Sequence, residues 1–232
     1  MKIALIGNGA MGKLVAAEAS AAGDEVATVL TSKERELKPN ELADKIRGHD
    51  VAIDFSAGDA VLRNIEACAR ARVPLVEGTT GWKADEAAAR QIVTAHSAAL
   101  VYGANFSIGV NLFYRIAERA AALFAAVEGY SPFIEEAHHM RKRDAPSGTA
   151  LQLRELLAKH LGPDISTAST RAGYIPGTHR VGFDSEGDQI VLVHEARSRR
   201  GFASGALFAA HWLPGKTGVF HFSEVIEELV KL

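Results

Sequence analysis

The chain has a single cysteine, Cys68, among its 232 residues, so no internal disulfide can form. That usage fits a reducing compartment. Charge of one sign is not in excess: 26 Lys and Arg stand against 28 Asp and Glu. Without a basic surplus, nucleic acid is not an expected partner, and the basic residues that do cluster suit an anionic small molecule better. No apolar run reaches membrane-spanning length, because Arg and Glu interrupt the long Ala-rich stretches. The first residues read as a strand, not a signal peptide, so a cytoplasmic, membrane-free protein is the expectation. Internal repeats and low-complexity segments are absent as well.

The first half alternates short apolar runs with helical patterns. Residues 2–6, KIALI, lead into Gly7-Asn8-Gly9-Ala10-Met11-Gly12 and then the helical pattern KLVAAEASAAG. This is GxGxxG in the setting of strand, turn and helix that a dinucleotide needs. Gly7 permits the tight turn, Gly9 lets a pyrophosphate approach the backbone, and Gly12 allows close helix–strand packing. Further strands are expected at EVATVLT, DVAIDFS, PLVEGTT and ALVYGANF, with helices at AVLRNIEACARA and KADEAAARQIVTAH. Such alternation predicts an α/β, Rossmann-type doubly wound parallel sheet. The loops after its strands would line the cofactor crevice: Asp54-Phe55-Ser56, Gly78-Thr79-Thr80 and Gly103-Ala104-Asn105-Phe106. After the second strand, an NAD-specific fold normally places an acid on the adenosine ribose. Here stand Thr31, Ser32 and Lys33, with Arg35 two residues on. Hydroxyls and positive charge at that position favour NADPH over NADH.

Past Ser107 the pattern changes to a long helix, a strand, a basic loop and an alternating strand over 188–198, which together read as a second, α+β domain. Its centre is 135–150, EEAHHMRKRDAPSGTA. His138 and His139 precede Arg141, Lys142 and Arg143, and a Pro-Ser-Gly-Thr turn opens the following helix. Ser147 reads as its N-cap, so the first backbone N–H groups, from Gly148 and Thr149, form an anion site at the positive end of the helix. A carboxylate held there would lie near a proton donor and a cation, as reduction of an acidic substrate requires. Arg141 and Arg143 read as solvated. His49, His96, His179, His194, His211 and His221 each stand alone in sequence and read as structural. One Cys and a sequential His pair argue against a zinc site, so no metal is expected.

The run Glu136-Ala-His-His-x-x-Lys-x-Asp-x-Pro-Ser-Gly-Thr-Ala150 resembles the signature of the 4-hydroxy-tetrahydrodipicolinate reductase family, also called dihydrodipicolinate reductase. The resemblance continues through Gly78-Thr-Thr-Gly81, Ala104-Asn-Phe-Ser107 and Phe202-Ala-Ser-Gly-Ala206. It implies hydride transfer from NAD(P)H to C4 of an unsaturated cyclic imine dicarboxylate, in diaminopimelate and lysine biosynthesis. Carried onto this chain, His138 is the proton donor or acceptor and Lys142 the second donor. His139, Ser147, Gly148 and Thr149 hold a substrate carboxylate, and the Gly78-Thr79-Thr80 and Ala104-Asn105-Phe106 positions meet the nicotinamide half. Arg171 and Arg199 fall near the active site. The resemblance further implies a tetramer formed through the sheets and a chain end that returns to the nucleotide domain. Expected domains are therefore 1–104 plus 202–232 for the dinucleotide and 105–201 for substrate and oligomer. The chain departs from the family in three places: Ala10 stands where an Arg usually precedes Met-Gly, the region from Arg171 to Asp188 is compact, and the ribose-binding acid is missing.

Overall fold

A computed structural model of the chain describes residues 1–230. Residues 231 and 232, which end the expected tail helix and the expected 202–232 segment, lie outside the described residues. The chain forms two compact units, Met1–Ile108 with the chain from Arg199 onward, and Gly109–Ser198.

The first unit is a six-stranded sheet in the order β10-β5-β4-β3-β1-β2. Its strands are β1 (Lys2–Ile6), β2 (Glu25–Leu30), β3 (Val51–Asp54), β4 (Leu75–Glu77), β5 (Ala99–Tyr102) and β10 (Gly218–His221). Every pairing is parallel. Ile3 to Ile6 and all of β3 are buried, which is why these strands read as unbroken apolar runs rather than alternating ones. α1 (Ala10–Ala21), α2 (Pro39–Ile46), α3 (Val61–Ala71) and α4 (Glu86–Ala95) connect them, and α7 (Arg200–Trp212) and α8 (Phe222–Leu229) come from the tail. Helices cover both faces, giving the doubly wound, Rossmann-type architecture; the strand order reverses between β1 and β3, where such sheets open a crevice.

Two elements were hidden in polar sequence. The charged run 33–41 ends inside α2, which Pro39 starts and which buries Leu42, Ala43 and Ile46 against the sheet. The tail segments FASGALFAAHWL and SEVIEELVKL read as helical, and between them Gly218–His221 pairs with β5 and completes the sheet. Four residues that begin at Gly218, at positive φ like Gly215 before it, are too few to show a period.

The second unit is a mixed sheet, β7-β6-β8-β9, built from β6 (Ser131–His138), β7 (Ser166–Arg171), β8 (Thr178–Asp184) and β9 (Gln189–Glu195). β6 runs parallel to β7 and antiparallel to β8. α5 (Ile108–Phe124) and α6 (Gly148–Leu161) pack on one face through Phe113, Ala117, Leu153 and Leu157, against Ile134, Val181 and Phe183. Among the described residues no helix is long and apolar enough to cross a membrane.

Candidate active site

In the first unit, the turn after β1 has the shape a dinucleotide needs. Gly7 adopts φ +97°, donates its N–H to Leu30 O at 2.9 Å, and has no room for a side chain, since a Cβ would lie 2.5 Å from Phe55 O. A Cβ on Gly12 would lie 2.1 Å from Gly7 O, so α1 packs directly on the turn. Gly9 behaves oppositely: nothing lies within 4 Å of where its Cβ would be. It is the N-cap of α1, and Asn8, Gly9 and Ala10 are exposed, leaving an open backbone cradle at a helix N-terminus. Met11 is half-buried. These residues fit a dinucleotide pyrophosphate.

The far edge of the same crevice is made by the loops after β3, β4 and β5. Gly78 lies against the Phe55 ring, where a Cβ would approach to 2.2 Å. Thr79 is buried and Thr80 exposed. Gly103 is buried, Ala104 exposed, and Asn105 turns its Oδ1 to accept the Ser107 N–H at 2.9 Å. Phe106 is buried against Phe55 and Phe222.

The loop after β2 is more occupied than its sequence suggests. Glu34 Oε2 accepts the Thr31 N–H at 2.8 Å and the Thr31 hydroxyl at 3.1 Å. Those bonds, the backbone one foremost, hold its carboxyl below the usual range. Arg35 pairs with Asp59. The Thr31 hydroxyl and the Arg35 charge are thus already engaged, which leaves the exposed Ser32 and Lys33 facing solvent.

In the second unit, β6 places Glu136 and His138 on the same side as α6, two residues apart on a strand. His179 of β8 stands directly across from Glu136 in the antiparallel register. Nε2 of His138 lies 3.3 Å from Nε2 of His179 and 3.3 Å from Glu136 Oε2. The other Glu136 oxygen, Oε1, accepts from the Ser147 N–H at 3.0 Å, Ser169 Oγ at 2.7 Å and Arg171 Nη2 at 2.6 Å. Burial alone would raise the Glu136 pKa, but these donors outweigh it and lower it to about 2. The histidines move the other way. Burial foremost, with the His138 ring next, brings His179 down to about 4. His138 is lowered as well, by burial first; Glu136 pulls it up, and Lys142 and Arg171 push it down. A carboxylate, a neutral His179 imidazole and a His138 ring of reduced basicity therefore share one buried site.

Ser147 joins this cluster to α6. Its Oγ caps the helix by accepting the Ala150 N–H at 3.2 Å and lies 3.2 Å from His179 Nε2. Gly148 is exposed with open space at its Cβ, and Thr149 is half-buried beside Tyr114. Lys142 Nζ contacts Asp144 at 2.8 Å, while Arg171 Nη2 also donates to Asp144 O at 2.5 Å. His139 is half-buried with Nδ1 lacking a partner. Arg141 and Arg143 are exposed.

Of the expected residues of 138–149, His138 and Ser147 meet Glu136 and Lys142 lies near enough to His138 to lower its basicity, and the structure adds Glu136, Ser169 and His179 to this cluster, with Arg171 beside them. His179 reads as isolated because the strand pairing that brings it to Glu136 spans 43 residues of sequence from one to the other. Arg199 starts α7 in the first unit. His49 bonds locally to Ile46 O, His211 lies 2.9 Å from Asp24 across the chain, and His221 caps α8. Glu136, His138 and His179 have ligand atoms within 4.8 Å of one another, a spacing that could admit a metal ion. Nδ1 of His179 is buried without a partner, so the outer hydrogen bond that orients a ligating imidazole is missing. Arg171 and Lys142 beside it favour an anion instead.

Comparison with known proteins agrees with both halves. Residues 1–106 match the family model "Dihydrodipicolinate reductase, N-terminus" and residues 109–226 match "Dihydrodipicolinate reductase, C-terminus". A curated 4-hydroxy-tetrahydrodipicolinate reductase of Christiangramia forsetii is 39% identical over 251 aligned residues, covering 100% of each chain. Another, from Anaeromyxobacter dehalogenans, is 38% identical over 81% of this chain and 76% of its own. The same fold occurs in a dipicolinate-bound dihydrodipicolinate reductase from Paenisporosarcina sp. TG-14, with TM-score 0.77, 22% identity and coverage of 97% and 99%. With both halves matched in order and a full-length relative well above the level at which families separate, the chain belongs to the dihydrodipicolinate reductase family.

Proposed function

We propose that the protein is an NAD(P)H-dependent 4-hydroxy-tetrahydrodipicolinate reductase, an oxidoreductase that yields tetrahydrodipicolinate with loss of water in diaminopimelate and lysine biosynthesis. The observation that carries this reading is a single carboxylate, Glu136, which bonds at Oε1 to the capped start of α6 and faces His138 at Oε2. One end of the site suits a substrate carboxylate, at the Gly148 and Thr149 amides beside His139 and Ser147; the other presents an imidazole.

The pyridine nucleotide supplies the hydride. Negative charge then moves from C4 through the conjugated imine and must be met by a proton and a cation. His138 is the proton donor or acceptor in this reading, and Lys142, held by Asp144, the second donor and the stabilising charge. Glu136 faces the His138 ring and favours its protonated form, opposing the loss of basicity that burial causes. Gly7 to Gly12 take the pyrophosphate, Ser32 and Lys33 the adenosine ribose end, and Gly78-Thr79-Thr80 with Gly103 to Phe106 the nicotinamide end. NADPH is the favoured cofactor and no metal takes part.

The same reading makes the protein a cytoplasmic homotetramer. Supporting it are the buried unpaired Cys68 and the outer sheet face of the second unit, where Val191 and Val193 are exposed beside one another. The deciding experiment supplies the product of the preceding synthase and follows NADPH absorbance. Loss of absorbance that depends on both enzyme and substrate is expected; none with either nucleotide would overturn the assignment.

A further inference from the structure

Beneath the nicotinamide-end loops lie two acids that the chemistry above does not use. Asp54 ends β3, Glu77 ends β4, and the parallel register sets them directly opposite each other. Both are 0% exposed. Among the described residues neither forms an ion pair, so two negative charges there would have nothing to offset them.

The hydrogen bonds say which oxygen carries the proton. Arg63 Nε and Nη2 both donate to Asn64 Oδ1, at 3.1 and 2.8 Å. That fork fixes the Asn64 amide, so its Nδ2 must be the group facing Asp54 Oδ2 at 2.6 Å. Asp54 Oδ1 meanwhile accepts the Ser56 N–H at 2.8 Å. Both Asp54 oxygens therefore receive donors, as an ionised carboxylate requires. On Glu77, Oε1 accepts the Thr79 N–H at 2.7 Å, whereas Oε2 is buried and meets no donor. The register places the two carboxyls beside each other, and burial pushes both above the ordinary carboxylate range, Glu77 well above it.

We propose that Asp54 and Glu77 hold one proton between them, carried on Glu77 Oε2 and donated to ionised Asp54, and that this pair positions the cofactor's nicotinamide end. Its two outer bonds, to the Ser56 and Thr79 backbones, clamp the adjoining loops, and Ser56 N–H also reaches Thr79 Oγ1 at 3.1 Å. The clamp continues through Asn64 to Arg63, which donates to Glu34 O and Arg35 O in the loop after β2. A single hydrogen-bonded chain thus runs under the crevice from the adenosine ribose end to the nicotinamide end. Burial and the neighbouring Asp54 charge push the Glu77 carboxyl well up, in agreement with a retained proton. Both acids are positioning residues; neither touches substrate in this account.

The positioning role rests on the proposed function, so the test has a readout that does not. Infrared spectra of the wild-type protein at neutral pH should show the carbonyl stretch of a protonated carboxylic acid, shifted in D2O and missing from Glu77→Gln. Absence of that band, or its survival in the variant, would refute the shared proton. Gln offers a carbonyl to Thr79 and an N–H to Asp54, as neutral Glu77 does, so Glu77→Gln should keep wild-type KM for NADPH within about twofold. Glu77→Leu, checked for native circular dichroism, removes both bonds and should raise that KM about tenfold or more while moving the imine-substrate KM far less. Equal impairment in Gln and Leu, or an unchanged cofactor KM in Leu, would refute the positioning role. A band that disappears in Glu77→Gln, in a protein that binds no pyridine nucleotide, would instead refute the function and leave the proton pair standing.

Discussion

His138 is held between a carboxylate that favours its protonated form and two cations and a dry setting that oppose it. A positioned acid of this kind contributes roughly two to four powers of ten in turnover. His138→Ala and Lys142→Ala should each lower kcat by about that factor with native spectra retained; near wild-type turnover in either variant would remove the role given to that residue. Removing only the anion, in Glu136→Gln, should move the His138 limb of the pH–rate profile to lower pH, and an unmoved limb would count against Glu136. In the first unit, Lys33 is the residue proposed to favour NADPH, because Arg35 is paired and the Thr31 hydroxyl is spent on Glu34. A partly exposed Lys–phosphate pair is worth about 1 to 2 kcal/mol, roughly a fivefold to thirtyfold preference in kcat/KM for NADPH over NADH. Lys33→Ala should erase it; an NADH-favouring wild type or an unchanged ratio in the variant would sink the assignment. Candidate residues could be proposed from sequence where they sit close together in the chain, as His138 to Thr149 do. His179 and Ser169 could not be, since only the pairing of β6 with β8 and β7 puts them beside Glu136. The occupation of Thr31 by Glu34 was equally invisible: an acid three residues on looks remote until a turn folds it back.

The element proposed to position the cofactor is the β1–α1 turn, whose glycines differ in their surroundings. Gly12 has a neighbour where its side chain would go and Gly9 has none. Gly12→Ala should therefore push α1 off the turn and destabilise the fold by about 1 to 3 kcal/mol, seen as a lower Tm without ligand. Gly9→Ala should leave the ligand-free Tm within about 0.5 kcal/mol of wild type and raise Kd for NADPH about tenfold or more. Similar thermal shifts in both variants, or unaltered nucleotide binding in Gly9→Ala, would contradict this division. The motif itself was readable because strand, turn and helix lie within one short stretch of chain. β10 was not, because a four-residue edge strand is recruited by β5 across more than a hundred residues rather than by any period of its own. α2 escaped for a related reason, its buried Leu42, Ala43 and Ile46 being too few among charged neighbours to mark a face.

At the scale of the whole chain, each unit has its own core, and the ligands that act on them differ: nucleotide on the first, protons on the second. His179 titrates at about 4 in the folded chain against 6.5 for the free side chain. Between those values the unfolded chain binds more protons than the folded one, so stability rises with pH there and is lost on acidification. The loss between pH 6.5 and 5 is about 2 kcal/mol for this one group. Glu136, lowered from 4.5 to about 2, works in the next window: its contribution is complete above pH 4.5 and disappears as pH falls toward 2. Both slopes have the same sign, so the second unit should weaken continuously from pH 6.5 downward. NADPH at a hundred times its Kd should stabilise the first unit by about 2.7 kcal/mol. Calorimetric scans should accordingly show one transition raised by NADPH and another lowered by acid, with the acid slope between pH 6.5 and 5 flattened in His179→Gln. A single transition moved by both in equal measure would contradict separate units, and a wild-type acid slope in His179→Gln would show that the buried imidazole is not what acid attacks.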